Sequence, residues 1–115
     1  MPLLKLETSS VIPEDKQKVL LPTLSKAVAG IIGKPEQYVM VTANAATIIM
    51  SGKGGDAAFV DVRGIGGLSG DVNRKLSKEV CKLLGDTLGI KPDRVYLNFT
   101  DIDAGSWGWN GSTFG

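Results

Sequence analysis

The sequence predicts an α+β fold: two βαβ repeats whose strands form a four-stranded sheet, with two helices on one face. Three observations carry this prediction. First, Gly33-Lys34-Pro35-Glu36-Gln37-Tyr38-Val39-Met40-Val41 returns in altered form as Ile90-Lys91-Pro92-Asp93-Arg94-Val95-Tyr96-Leu97-Asn98, so a Lys-Pro-acid triplet recurs half a chain length later. Second, each half passes from a strand-like run to apolar residues at helical spacing. Third, a glycine (Gly33, then Gly89) closes each helical run and another strand follows.

The elements follow in order. Leu3 to Thr8 alternates leucine with polar residues, as a half-buried strand does. Pro13 with Glu14 and Asp15 suits a helix start, because proline loses no hydrogen bond there and the acids favour the positive end of the dipole. Leu20, Leu24, Ala27, Val28 and Ile31 then mark one helical face. Pro22 falls inside this helix and is expected to kink or break it. Tyr38 to Ala45 reads as the second strand, and Ser51-Gly52-Lys53-Gly54-Gly55-Asp56 as a flexible turn joining the halves. Ala58-Phe59-Val60-Asp61-Val62 is the third strand. Ser69 can cap a helix carrying Val72, Leu76, Val80, Leu83, Leu84 and Leu88. Arg94 to Thr100 makes the last long strand. The whole is one domain over residues 1–115, with the repeats at about 1–57 and 58–115.

Two helices cover one sheet face, and a chain this short has nothing left to cover the other. An oligomer that closes those faces on each other is the expected solution. The glycine-rich tail from Ala104 carries both tryptophans, Trp107 and Trp109, on what reads as irregular chain. Such residues are expected to pack against a neighbouring subunit.

Composition narrows the function classes. A net charge of +1 gives no general attraction to nucleic acid or to anionic membrane. No apolar run approaches the roughly 20 residues that cross a bilayer, and the N-terminus does not read as a signal peptide. Cys81 is the one cysteine, which excludes an internal disulfide, and it reads as a core filler inside a helix. A cytoplasmic setting fits. Gly64-Ile65-Gly66-Gly67-Leu68-Ser69-Gly70 fails as a dinucleotide fingerprint at its last glycine, and Gly52-Lys53-Gly54-Gly55 lacks the spacing of a P-loop. The sequons at Asn98 and Asn110 are read as coincidence.

The chain contains no histidine, so the commonest neutral-pH base is missing. Pro2 offers another. Aminopeptidases trim Met before a small residue, leaving a free prolyl amine, and an α-amino group titrates at about 7.7–8.0. Burial or a nearby cation lowers that value. Taken alone, Pro2 reads first as a tolerated N-terminal residue. If Met1 is retained, its nitrogen is an amide and cannot act as a base.

Met1-Pro2, Gly33-Lys34-Pro35, Asn73-Arg74, Pro92-Asp93-Arg94-Val95-Tyr96-Leu97-Asn98 and Gly108-Trp109-Asn110-Gly111-Ser112-Thr113-Phe114 together carry a resemblance. Over essentially its whole length, the chain resembles the macrophage migration inhibitory factor family of the tautomerase superfamily. The resemblance implies a homotrimer and a cofactor-free, metal-free keto–enol tautomerase acting on α-keto acids such as phenylpyruvate. It implies Pro2 as the catalytic base, with Lys34 and the Ile65 amide holding the substrate carboxylate. Tyr96 and Asn98 match pocket residues contributed by the adjacent subunit. Tyr38, Trp109 and Phe114 match aromatic pocket walls.

Departures from the family are also legible. Ala57-Ala58-Phe59-Val60 stands where the well-known member has Cys-x-x-Cys, so thiol oxidoreductase activity is not expected. Arg63 replaces a histidine and alters the surface charge. Trp107 replaces a smaller residue beside the pocket, which narrows the entrance and argues against bulky dopachrome-type substrates. From another class comes the alternative implied by the same resemblance: a cytokine-like protein that binds a receptor, reaching the outside by a non-classical route, with the pocket vestigial or regulatory.

Overall fold

Alternation decides the first strand, β1 (Leu3–Thr8): Leu4, Leu6 and Thr8 are buried, while Lys5 is exposed. The computed structural model describes residues 1–115. Helix α1 (Glu14–Ile32) follows, then β2 (Met40–Ala45), β3 (Ala58–Gly64), α2 (Gly70–Leu88) and β4 (Val95–Asp101). A single turn of 3₁₀ helix precedes β2 at Glu36–Tyr38 and β4 at Pro92–Arg94, so Tyr38 and Arg94 lie just outside the strands expected to contain them. The sheet order is β2-β1-β3-β4. β1 and β3 are antiparallel at the centre, and each is parallel to its outer neighbour. This is the arrangement of two βαβ units placed back to back.

The core lies between sheet and helices. Leu20, Leu24, Val28 and Ile32 recur every fourth residue of α1, and Leu76, Val80 and Leu84 do the same on α2. They pack on Leu4, Leu6, Val60 and Val62. Each fully buried side chain of this kind stabilises the fold by about 1.5–3 kcal/mol. Cys81 packs against this cluster, and burial pushes its thiol pKa up, which fits a filler better than a reactive thiol. No helix is long and apolar enough to cross a membrane.

Both helices end in a left-handed glycine, Gly33 (φ 76°) and Gly89 (φ 70°). Ser69 caps α2 by accepting a bond from the Val72 amide at 3.3 Å. Helix α1 runs unbroken through Pro22, contrary to the expected kink or break. Pro22 and Lys18 both lie on the exposed side, so the Lys18 carbonyl that loses its amide partner can turn to water.

Two further corrections concern the connections. The turn between the halves is tied down: the Arg94 guanidinium donates to the carbonyls of Met50 (2.8 Å), Gly54 (3.0 Å), Asp56 (3.1 Å) and Lys53 (3.2 Å). The tail is regular where irregular chain is expected: it forms a hairpin of β5 (Gly108–Trp109) and β6 (Ser112–Thr113). Its turn residues, Asn110 (φ 52°) and Gly111 (φ 80°), hold the two positive angles of a type I′ turn.

The second face of the sheet is uncovered within the chain. It presents Met40, Leu3, Arg63 and Thr100 in one cross-strand row, Thr42, Lys5, Asp61 and Asn98 in the next, and Asn44, Glu7, Phe59 and Tyr96 in the third.

Candidate active site

The start of β1 opens onto the largest cavity in the molecule, about 520 Å³. Pro2 is fully buried at its wall, and its carbonyl accepts from the Met40 amide at 3.0 Å. Met1 lines the same cavity, so the terminal amine stands in it. Burial, and after it the positive charge of Lys34, hold that amine below its ordinary pKa. A lowered pKa leaves more of the amine unprotonated at a given pH.

Lys34 follows the C-cap of α1 and does not itself line the cavity, although its field reaches the terminus. It packs against the loop that leads from β3 into α2. At Gly67 (φ 79°) a Cβ would meet the Ile32 side chain at 2.9 Å and Lys34 Cε at 3.3 Å, so only glycine lets the loop come this close. In that loop the Gly66 amide donates to Asp101 Oδ1 at 2.8 Å, while the Ile65 amide has no partner within the chain. An amide left without a partner keeps its donor for a ligand.

Aromatic residues close another side. Tyr38 stands edge-on to Trp109 at 5.9 Å and to Phe114 at 6.4 Å between ring centres, and Trp109 and Phe114 lie parallel at 5.6 Å. The hairpin turn brings the two tail aromatics back together, and the Phe114 amide donates to the Trp107 carbonyl at 3.1 Å. Trp107 is half-buried and lines the cavity with them. The wall suits an apolar or aromatic substituent.

Five of the sequence-predicted residues therefore line one cavity: Pro2, Tyr38, Trp107, Trp109 and Phe114. Lys34 and Ile65 are not among its lining residues. Tyr96 and Asn98 do not reach it. They lie on the uncovered face of the edge strand β4, in the second and third rows, whereas the cavity belongs to the row of Met40, Leu3 and Arg63. Tyr96 is four residues along β4 from Thr100, roughly 13 Å at the strand rise, and is 67% exposed.

Sequence reasoning missed several lining residues, among them Gln37, Met40, Ile102 and Ser106, and noted Arg63 only as a surface charge. Ile102 is carried in when its amide donates to the Gly64 carbonyl at 2.8 Å, continuing the β3–β4 ladder past its end. Strand alternation alone places Arg63 on the correct face, but only the register shows which end of that face meets the cavity.

Comparison with known proteins agrees with this fold. The family model described as macrophage migration inhibitory factor matches residues 1–115. The protein of that name from Meriones unguiculatus is 39% identical over 118 residues, covering 99% of each chain. Among solved structures, the homologue from Prochlorococcus marinus is 38% identical, covering 98% of this chain and 99% of the other, with a TM-score of 0.93. The macrophage migration inhibitory factor-like protein of Entamoeba histolytica is 34% identical with the same TM-score of 0.93, covering 98% of each chain.

Proposed function

The chain belongs to the macrophage migration inhibitory factor family, and from that premise we propose that it is a keto–enol tautomerase of α-keto acids such as phenylpyruvate, with the Pro2 nitrogen as general base. One observation carries the reading: the terminal amine stands in an aromatic-walled cavity, desolvated and under the field of Lys34. Removal of Met1 transfers the free amine to Pro2, which is more deeply buried, and so strengthens the desolvation. The neutral prolyl nitrogen takes a proton from the carbon beside the keto group, the C–H pair becomes the C=C of the enol, and the proton is delivered to the oxygen. The reverse path runs through the same positions. Lys34 and the Ile65 amide anchor the carboxylate, while Tyr38, Trp109 and Phe114 hold the ring.

Tyr96 and Asn98 enter this proposal through a neighbouring copy. Within their own chain they are too far from the cavity, and they sit on an unpaired edge strand and an uncovered face. That placement supports a homotrimer in which each pocket is completed by the adjoining subunit.

Ultraviolet absorbance during phenylpyruvate enol–keto conversion tests the reading. Protein with Met1 removed, confirmed by intact mass, is expected to catalyse the conversion, and protein retaining Met1 is not. Equal rates for the two forms exclude Pro2 as the base.

A further inference from the structure

Arg63 is the one charged side chain lining the cavity, and the proposed reaction leaves it unused. It lies near the end of β3 between Leu3 on one side and Thr100 on the other, and alternation points it to the uncovered face. Its side chain is 51% exposed, while that of Asp61 is 16% exposed. Arg63 Nε (3.2 Å) and Nη2 (3.0 Å) both donate to the same oxygen, Asp61 Oδ2. This fork fixes the guanidinium and leaves Nη1 without a partner. Arg63 thus lines the cavity with a free charged donor.

Lys34 and Arg63 reach this region from opposite layers. Lys34 extends from the end of α1, on the helix side, and packs under Gly67. Arg63 belongs to the open face of the sheet. A ligand with one carboxylate satisfies one of these cations. A ligand with an anion at each end satisfies both, and a guanidinium held in place beforehand binds the second anion at little ordering cost.

We propose that Arg63 is a specificity-determining residue and that the preferred substrates are α-keto acids bearing a second carboxylate at the far end of the molecule. This rests on the tautomerase reading for the orientation of the keto-acid end, with that carboxylate at Lys34 and the Ile65 amide. Asp61 limits the effect, because it neutralises part of the Arg63 charge while orienting it.

The test compares phenylpyruvate with its ring-carboxylated analogue, 4-carboxyphenylpyruvate, using full-length chain from which Met1 has been removed. Trp107 and Trp109 both line the cavity, so quenching of their fluorescence reads binding independently of turnover. The dianion is expected to bind about 5–10-fold tighter in low salt, the fold-change of a charge-assisted hydrogen bond discounted for a half-exposed guanidinium. The preference should shrink as salt is raised. Arg63→Gln should bring the two Kd values to within about twofold, the loss of that same bond. Asp61→Asn should widen the preference by removing the negative charge that neutralises part of Arg63, while the amide oxygen still accepts from the guanidinium. Equal Kd values in the parent, or an undiminished preference in Arg63→Gln, overturn the assignment. Absorbance assays on the same samples separate this outcome from failure of the tautomerase reading. Turnover without a preference sinks the role of Arg63 alone, whereas a preference without turnover of either compound sinks the tautomerase reading and leaves the anion site standing.

Discussion

At one end of the central strand pair, the start of β1 meets Gly33-Lys34 and the loop from Gly64 to Gly67. At the other, the start of β3 meets Gly89-Ile90 and the loop from Ser9 to Ile12. The two ends are related by the internal repeat, and the helices that lead to them are each 19 residues long. Their interiors differ. The first opens on one cavity of about 520 Å³, whereas the second has only separate smaller hollows of about 130, 170 and 260 Å³. Ile90, buried at 4% exposure, follows the helix-closing glycine where Lys34 does in the first repeat, which inserts one apolar residue before the second Lys-Pro. Ala57, the counterpart of Pro2, is locked by exchange with Ser9: its amide donates to Ser9 Oγ at 3.0 Å, and its carbonyl accepts from the Ser9 amide at 3.0 Å. One fold unit thus carries a candidate site and its copy carries core. On the proposed reading the chemistry comes from the chain terminus and a lysine, because a peptide nitrogen inside a chain cannot be a base.

The largest expected effect breaks that contrast at its centre. Pro2→Gly, with Met1 removed, should lower kcat/KM for phenylpyruvate by about 10²–10⁴-fold, the range for a positioned general base. Circular dichroism should show the fold retained. A parental rate would mean that the terminus is not what distinguishes the two ends.

Next in size is an attempt to make the copy resemble the site. Ile90→Lys places an amine where Lys34 has its counterpart, but at a buried position beside a hollow of only about 130 Å³. A loss of about 2–4 kcal/mol in denaturant unfolding is expected, from the lost apolar burial and the buried polar group. Unchanged stability would show that this end has room for charge and differs from the first less than its volume indicates.

Lys34→Ala sharpens the comparison by removing the cation while keeping the amine. KM for phenylpyruvate should rise about 10-fold, as expected for one charge-assisted hydrogen bond. The pH profile carries a second signature. Only the neutral amine accepts a proton, so kcat/KM rises with pH through the pKa of the free terminus. In the parent, the inflection should fall below the ordinary range of about 7.7–8.0. Lys34→Ala should move it upward but only part of the way, because burial is the larger cause and Lys34 the second. An inflection that does not move would separate Lys34 from the terminus.

The sequence made most of this scaffold readable through local signals: alternation in β1 and β3, fourfold apolar spacing in the helices, and a closing glycine on each. The site was readable where it depended on neighbours in sequence, as for Lys34 after Gly33 or Ile65 among glycines. What escaped required register. Arg63 and Tyr96 both alternate onto the open face, yet one meets the cavity and the other lies far along the sheet, and only the strand pairing separates them. Pro22 misled because its local penalty is met by exposure on the solvent side of α1. The tail hairpin had a local signal, Asn110-Gly111, obscured by so glycine-rich a segment.

Arg94 gives an expected effect confined to stability, away from the cavity, and the clearest case of a long-range tie. The loop that separates the repeats has positive φ at Ser51 (57°), Gly52 (72°) and Gly55 (100°), and little apolar burial of its own. Four carbonyls in it converge on one guanidinium from the start of β4. Lysine in that place has the charge but not the planar fork, and cannot serve four acceptors at these angles. Arg94→Lys should therefore cost about 1–2 kcal/mol, the net worth of one or two bonds to a charged donor at a part-exposed site. Hydrogen exchange should speed up at the Met50 and Lys53 amides, which pair across the turn, and remain unchanged in the α1 core. The cavity, built at the opposite end of β3, should keep its ligand affinity. If exchange rises equally in both places, the loop is part of the global folding unit, and the two ends of the central strand pair are coupled more tightly than their separate contacts indicate.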